Sequence, residues 1–209
     1  MPTRRSRALA RAFYARPTLR VARDLIGMVL VHRTNEGTAA GMIVETEAYI
    51  GEDDPACHAA PGPTPRNAPL YGPPGVAYIY LNYGMHYLVN VVTEAAGRPA
   101  AVLVRALEPL EGIDLMERRR TRNAGQPAVP DLCRGPGNLT KALGVTLAEN
   151  LLDLTRGALR IEDRGYRPSP VARGPRIGIR IGVDRPWRRW VSGHASVSGP
   201  RRRRSSGQW

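Results

Sequence analysis

VETEAYIGEDDPACHAAPGPTPRNAPLYGPPGVAYIYLNYGMHYLVN (residues 44–90) is the stretch of this 209-residue chain that says most about its fold. It overlaps MIVETEAY (42–49) and contains AYIYL (77–81) and the start of HYLVNVVT (86–93), three runs of β-forming residues bounded by turn residues. AAVLVRAL (100–107) follows directly. No βαβ rhythm separates these runs, so their spacing predicts a largely antiparallel sheet. We expect an α+β fold, in which a single compact domain has a curved, largely antiparallel sheet and flanking helices.

The segments on either side of this stretch add helices and returning strands. Thr18 is placed to cap a short helix, LRVARDLIG, that ends at Gly27, and MVLVHR (28–33) follows as a strand. A second helix is predicted from Pro109, at its first turn, to about Arg122. The remaining predicted elements are a helix LTKALG capped by Asn138 and strands at 159–162 and 176–182.

The two ends of the chain differ in composition from the part between them. Residues 1–16 are predicted to be a mobile basic arm, and residues 17–198 the folded domain. Residues 199–209 include Arg201–Arg204 and are predicted to be a basic disordered tail. Glycine and proline crowd residues 59–75, which leaves open whether that segment is an ordered loop or a flexible one.

The chain is strongly basic, with a formal net charge of +13. Lys141 is the only lysine among 31 basic residues, a ratio that codon bias in a GC-rich genome explains. The excess of base over acid needs another reason, and it favours a polyanionic partner such as nucleic acid over a membrane surface. No apolar run approaches the roughly 20 residues of a membrane span. Cys57 and Cys133 are too few for a disulfide scaffold, so we expect a cytoplasmic protein.

Residues 44–90 concentrate aromatic and acidic side chains. Glu45 and Glu47 share a strand face with Tyr49, with the two carboxylates about 6.6 Å apart at ~3.3 Å per residue. Two solvated carboxylates on an exposed face would give the same pattern, and the residues alone leave both interpretations open. A carboxylate beside aromatic rings suits an enzyme that stacks a flat base next to an acid–base group. Six of the eight tyrosines lie here: Tyr49, Tyr71, Tyr78, Tyr80, Tyr83 and Tyr87.

Two other features of the stretch are ambiguous on their own. Asp53, Asp54, Cys57 and His58 invite a comparison with metal sites, but their spacing matches no strong zinc pattern, and we expect no metal. The turn that begins at Tyr83 joins two predicted strands. An aromatic side chain there is either an ordinary exposed residue or a wedge that enters a base stack.

Several long motifs resemble those of the alkyladenine DNA glycosylase (3-methyladenine DNA glycosylase) family. They include VETEAYIG with the following His58, TPRN, YIYLNYGMHYLVN and LVRALEPLEG. The likeness begins near ARPTLRVARDLIG and continues through LCRGPGNLTKALG to RIGIRIG and WVSGHASVS. It therefore covers roughly residues 12 to 198, which makes residues 17–198 the expected glycosylase domain.

This resemblance implies roles for eight residues. Glu47 resembles the general base that activates water, and Arg105 resembles an arginine close to the catalytic water and the DNA backbone. Tyr83 resembles the residue that intercalates into the gap left by a flipped base, with Met85 supporting it. The implied base-binding residues are the walls Tyr49, His58 and Tyr80, together with Asn90, which matches an asparagine that clashes with the amino group of normal guanine.

The chain departs from the mammalian members of that family at two positions. His86 stands where they have tyrosine, so the neighbour of the intercalating residue differs. Asn138 stands where they have lysine, which weakens the assignment of a phosphate contact there. Both differences bear on the range of lesions and the DNA footprint more than on the reaction.

The function implied by the resemblance is that of a monofunctional DNA glycosylase. It would flip alkylated or deaminated purines (3-methyladenine, 7-methylguanine, hypoxanthine, ethenoadenine) out of double-stranded DNA and excise them by water attack at C1′, leaving an abasic site. We expect a bacterial, nucleoid-associated monomer that uses no cofactor and no membrane. Two alternatives remain: a non-catalytic damage- or RNA-binding protein, and a sugar hydrolase that uses Glu45 and Glu47 as its two carboxylates.

Overall fold

The computed structural model describes residues 7–121 and 125–199, which form one α+β domain. Its helices are α1 (Arg11–Tyr14), α2 (Thr18–Asp24), α3 (Ile113–Arg120) and α4 (Pro136–Leu143). Its strands are β1 (Arg7–Ala8), β2 (Val29–Thr34), β3 (Gly37–Ile50), β4 (Ala77–Asn82), β5 (His86–Val92), β6 (Ala100–Glu111), β7 (Leu159–Asp163), β8 (Val171–Gly174) and β9 (Arg188–Val191).

The strands form a single curved sheet. The main path runs β1-β7-β2-β3-β6-β5-β4, and β9 adds to β3 and carries β8 on its other side. Every strand pair is antiparallel within the described residues. The predicted α+β class with a curved, largely antiparallel sheet is therefore confirmed.

Each central strand has one face toward the helices and one face away from them. Along β6, Val102, Val104 and Ala106 belong to the main hydrophobic core with residues of α2, α3 and α4. The alternate residues Leu103 and Arg105 line a cavity on the opposite face. This is the two-residue period of an extended strand. The helices thus fill one side of the sheet, and the other side is left for a site.

The chain before α2 is more ordered than predicted. The expected mobile arm, residues 1–16, is contradicted from residue 7 onward, because β1 pairs with β7 and Tyr14 is completely buried. Arg16 adds to this packing, with its guanidinium 4.1 Å from the centre of the Phe13 ring. Residues 1–6 lie outside the described part of the chain, as does the predicted tail beyond Gly199.

The helix predicted from Pro109 begins four residues later, at Ile113. Pro109 lies in β6 instead, opposite Gly41 and next to a register shift in β3, where a residue without an N–H is tolerated. Gly112 then turns the chain with a φ of 69°. A Cβ at Gly112 would lie 2.2 Å from the carbonyl oxygen of Thr38, so only glycine fits at this junction.

Two predicted helix caps are also wrong. Thr18 is the first residue of α2 rather than its cap, and its hydroxyl donates to Glu94 at 2.6 Å. Asn138 lies inside α4, whose N-cap is Gly135, and its side-chain amide donates to the carbonyl of Arg134 at 2.7 Å. In both cases a contact outside the local turn replaces the expected capping bond.

The segment RIGIRIG (176–182) contains no strand. Gly178 and Gly182 have φ values of 79° and 62°, which break an extended conformation. Arg176 is buried in an ion pair with Asp54 instead of standing on an exposed cationic face. The segment therefore crosses the sheet as a loop, called the 176–182 loop below. The other predicted returning strand, at 159–162, is present as β7.

No helix within the described residues is long and apolar enough to cross a membrane.

Candidate active site

Four neighbouring strands direct polar and aromatic side chains to the face of the sheet opposite the helices. Tyr78 and Tyr80 come from β4, Asn90 from β5, and Leu103 and Arg105 from β6, and all five line one cavity. From β3, Tyr49 lines the same cavity. Because strand side chains alternate, the same strands bury Val44, Ala48 and Ile79 in the core on their other face.

Glu47 is completely buried where β3 passes beneath this cavity. Its Oε1 accepts a hydrogen bond from the backbone N–H of Ile177 at 2.7 Å. Its Oε2 accepts from the hydroxyl of Tyr49 at 2.9 Å and from Nη1 of Arg105 at 3.2 Å. Burial raises the pKa of the Glu47 carboxyl, while Arg105, the Ile177 N–H and the Tyr49 hydroxyl counteract that rise. The result is a carboxyl poised for proton transfer.

Glu45 lies on the same face but has a different environment. It is also completely buried, so the interpretation of two solvated carboxylates is wrong. Its Oε1 accepts from Nε of Arg188 at 2.6 Å and from Nε of Arg105 at 3.2 Å, and Oε2 accepts from the backbone N–H of Ser198 at 2.7 Å. These fixed donors make Glu45 an anchor for the two arginines and for the chain near Ser198.

Arg105 joins the two carboxylates. Its Nε contacts Glu45 and its Nη1 contacts Glu47, each at 3.2 Å, and Nη2 donates to the hydroxyl of Ser198 at 3.2 Å. Its side chain is nearly buried but remains part of the cavity wall. A guanidinium held in this way keeps a positive charge beside Glu47 and can also face an anion in the cavity.

Aromatic rings form the walls of the cavity. The rings of His58 and Tyr80 lie 4.4 Å apart between centroids, and the Tyr80 and Tyr78 rings lie 5.4 Å apart. Tyr49 lines the cavity from β3. The three residues whose resemblance suggested base-stacking walls, Tyr49, His58 and Tyr80, are thus brought to one cavity.

His58 is held as a neutral ring. Its Nδ1 lies 2.8 Å from the hydroxyl of Tyr78. Burial lowers the pKa of His58, and the positive charge of Arg66 lowers it further. Burial raises the pKa of Tyr78 to about 12, so that its hydroxyl stays protonated at neutral pH. The wall therefore carries hydrogen-bonding groups without a charge.

The cavity encloses about 340 Å³, within the range of small-ligand sites and suited to a single flat heterocycle. Asn90 is buried in its wall, and its side-chain nitrogen donates to the carbonyl of Tyr78 at 3.0 Å. This bond fixes the orientation of the amide. Asn90 is therefore placed to test the shape and polarity of a molecule in the cavity.

A hairpin turn protrudes beside the cavity between β4 and β5. The N–H of Met85 donates to the carbonyl of Asn82 at 3.1 Å, and both central residues, Tyr83 and Gly84, have positive φ values of 49° and 67°. Such values are strained for tyrosine and are found mainly where function requires them. Tyr83 is 81% exposed and Met85 is 73% exposed. Two large apolar side chains thus stand in solvent at the tip of the hairpin.

Sequence reasoning missed the buried ion pair between Arg176 and Asp54. Two bonds of 2.6 and 2.8 Å join their side chains, and neither side chain is exposed to solvent. The Arg176 guanidinium also lies 4.7 Å from the centre of the Tyr49 ring. The ion pair fixes the 176–182 loop, whose Ile177 N–H holds Glu47. The negative charge of Asp54 in a polar turn gave no signal of a distant partner.

The acidic and sulfur-containing residues after β3 do not form a metal site. Among the described residues, no group of three or more His, Cys, Asp or Glu side chains is arranged to hold a metal ion. Asp54 is taken up by Arg176, and burial raises the pKa of the Cys57 thiol to about 11.

The sequence profile of the methylpurine-DNA glycosylase (MPG) family matches residues 12–195. Curated bacterial relatives whose names include the words 3-methyladenine DNA glycosylase are similar over nearly the whole chain. The Rubrobacter xylanophilus protein is 51% identical over 86% of this chain and 91% of its own length. The Bradyrhizobium diazoefficiens protein is 47% identical over 95% and 94%, and the Chlorobium phaeobacteroides protein 46% identical over 91% and 95%. This chain therefore belongs to the methylpurine-DNA glycosylase family, as its motifs indicated.

Proposed function

We propose that this protein is a monofunctional DNA glycosylase that flips a damaged purine out of duplex DNA and releases it by hydrolysis, leaving an abasic site. The observation that carries the proposal is a buried carboxylate, Glu47, hydrogen-bonded to the wall of an aromatic cavity sized for one base. The proposed substrates are 3-methyladenine, 7-methylguanine, hypoxanthine and ethenoadenine.

Flipping is the first requirement, because the N-glycosidic bond lies inside the base stack. Extrusion of a nucleotide costs a few kcal/mol and is easiest for damaged or mispaired bases. In the proposal, Tyr83 fills the gap that the base leaves, and Met85 packs behind it. The exposed, apolar hairpin tip supports this role, since a wedge must protrude and must replace base stacking.

Binding of the extruded base is the second requirement. Tyr49, His58 and Tyr80 would enclose it, and stacking on aromatic rings is worth roughly 1–3 kcal/mol per base. Bases alkylated at N3 or N7 carry a positive charge and gain further from the ring faces. Asn90 would oppose the amino group of normal guanine, since its amide is already fixed by Tyr78.

The hydrolysis itself is assigned to Glu47. A water oxygen bonds to C1′ as the bond from C1′ to the base nitrogen breaks, and that electron pair leaves with the base. Glu47 accepts the proton of the attacking water and stabilises the positive charge that develops on the sugar. Arg105 keeps Glu47 ionised and offers a cation to the DNA backbone.

The net charge of +13 supports double-stranded DNA as the partner. A sugar hydrolase with Glu45 and Glu47 as its carboxylate pair fits less well, because Glu45 is held by Arg188, Arg105 and Ser198. A binding-only protein gives no reason for a buried carboxylate with a raised pKa. We propose that the enzyme acts as a monomer.

Release of free base from methylated or hypoxanthine-containing duplex DNA is the test of this function. The purified protein should release the base and leave abasic sites that are cleaved only after heating in alkali. Activity should persist in EDTA, since the proposed nucleophile is water activated by Glu47. Binding of the damaged duplex without base release would favour the non-catalytic alternative.

A further inference from the structure

The face of the sheet opposite the cavity carries its own cluster of positive charge. Arg189 in β9 is the register partner of Thr46 in β3, whose hydroxyl donates to the carbonyl of Ala22 in α2 at 2.8 Å. Arg189 therefore stands on the side of α2. Its neighbour Arg188 points the other way, to Glu45 beneath the cavity.

Two further arginines surround Arg189. Arg173 in β8 is its direct cross-strand partner, and Arg23 lies at the end of α2. Burial lowers the pKa of Arg189, and the charges of Arg173 and Arg23 lower it further. These three residues are called the back-face arginines below.

The back-face arginines have no acidic counterpart. Within the described residues, no ion pair joins Arg23, Arg173 or Arg189 to a carboxylate, and Arg189 donates only to the backbone carbonyls of Pro186 and Arg188. Like charges directly opposite each other on paired strands destabilise a sheet. A bound anion would remove this repulsion, so the arrangement fits an anion-binding surface better than a structural one.

Phosphate is the anion that this chemistry matches. Guanidinium groups form planar, paired hydrogen bonds with phosphate oxygens, and the chain as a whole is charged to attract a polyanion. We propose that Arg23, Arg173 and Arg189 form a second phosphate-binding surface, which binds the backbone of a nucleic-acid duplex other than the one whose base enters the cavity. The protein would then hold two duplexes on opposite sides of its sheet.

A two-duplex binding experiment tests this directly. The wild-type protein is first saturated with a short duplex that contains a stable abasic-site analogue, and a fluorescent, undamaged 20-base-pair duplex is then titrated in. We expect the second duplex to bind with an affinity that falls steeply with salt. The variant R23Q/R173Q/R189Q should lose at least about tenfold in this second affinity, since each lost phosphate contact lowers the salt slope by ~0.9.

The matched control is R33Q/R98Q/R118Q, which removes three exposed arginines elsewhere and lowers the net charge equally. It should keep the second affinity. The proposal is overturned if wild type binds no second duplex, if the control loses as much as the back-face variant, or if polyglutamate competes better than duplex DNA. Excision by the back-face variant at the wild-type rate separates this result from the proposed activity, which uses the other face.

Discussion

At the scale of single residues, Glu47 combines two opposing demands. Its complete burial disfavours the charged carboxylate, yet a general base must be ionised to accept a proton. Arg105, the Ile177 N–H and the Tyr49 hydroxyl resolve the conflict in part, because each lowers the pKa that burial has raised. The local hydrogen bonds therefore decide at which pH the proposed base works.

This balance predicts the pH dependence of excision. Because the pKa of Glu47 is raised, the single-turnover rate should increase with pH through a value above the ordinary glutamate range and fall below it, where the base is protonated. Arg105→Gln removes a charge that lowers this pKa, so the acid limb should move to higher pH. The measurement is a pH–rate profile on hypoxanthine-containing duplex.

Two controls sharpen this prediction. Arg105→Lys keeps the charge and should leave the acid limb closer to that of wild type. Arg118→Gln removes an exposed arginine of α3 and should leave it unmoved. An acid limb that stays in place or moves to lower pH in Arg105→Gln would refute the coupling between Arg105 and Glu47.

At the scale of elements, the β4–β5 hairpin is the feature most suited to opening a duplex. Tyr83→Ser should reduce excision from duplex DNA by at least about tenfold and affect a single-stranded substrate much less, because only the duplex has a stack to fill. Excision rates on matched duplex and single-stranded oligonucleotides measure the difference. Tyr166→Ser, at another partly exposed tyrosine, should change neither rate. Equal losses on both substrates would remove the wedge role from Tyr83.

The 176–182 loop depends on one buried ion pair. Asp54→Asn would leave the buried Arg176 charge uncompensated, which costs about 3–5 kcal/mol of folding free energy. The loop carries the Ile177 N–H that holds Glu47, so excision should fall together with stability. Urea unfolding and single-turnover excision measure the two effects. Asp53→Asn, at the exposed neighbouring residue, is the matched control, and an equal effect there would contradict this account.

At the scale of the whole molecule, strand-level patterns predicted more than turn-level ones. The alternation in MIVETEAY and AYIYL predicted which residues share a face, and Tyr49, Tyr80 and Asn90 do line one cavity. The family resemblance brought in His58 and Arg105, because long ordered motifs preserve contacts that are distant in sequence. The roles assigned to these residues stay predictions.

Features decided by long-range contacts were beyond the sequence. RIGIRIG alternates like a strand, but Arg176 finds Asp54 more than 100 residues away, and glycines with positive φ break the strand. Pro109 has the mark of a helix start, but the pairing of β6 with β3 extends through it to Gly112. Local propensity is a weak guide wherever tertiary contacts oppose it.

The whole chain also bears on the type of reaction. Glycosylases that cut the DNA backbone form a Schiff base, which needs an amine nucleophile. Lys141, the only lysine, lies in α4 and does not line the cavity. Borohydride reduction during turnover of a damaged duplex should therefore trap no covalent protein–DNA adduct. An adduct lost in Lys141→Ala, or after blocking of an amino terminus at Pro2, would contradict the water mechanism.

The central claim is that Glu47 is the base that activates water, and its most direct measurement is excision by Glu47→Gln. This substitution should retain binding to a damaged duplex and lose single-turnover excision by at least ~10²-fold, the scale of lost acid–base catalysis. Glu45→Gln, which alters an anchor of Arg105 and Arg188, should retain more activity per folded molecule than Glu47→Gln. An active Glu47→Gln beside a folded but inactive Glu45→Gln would contradict the account.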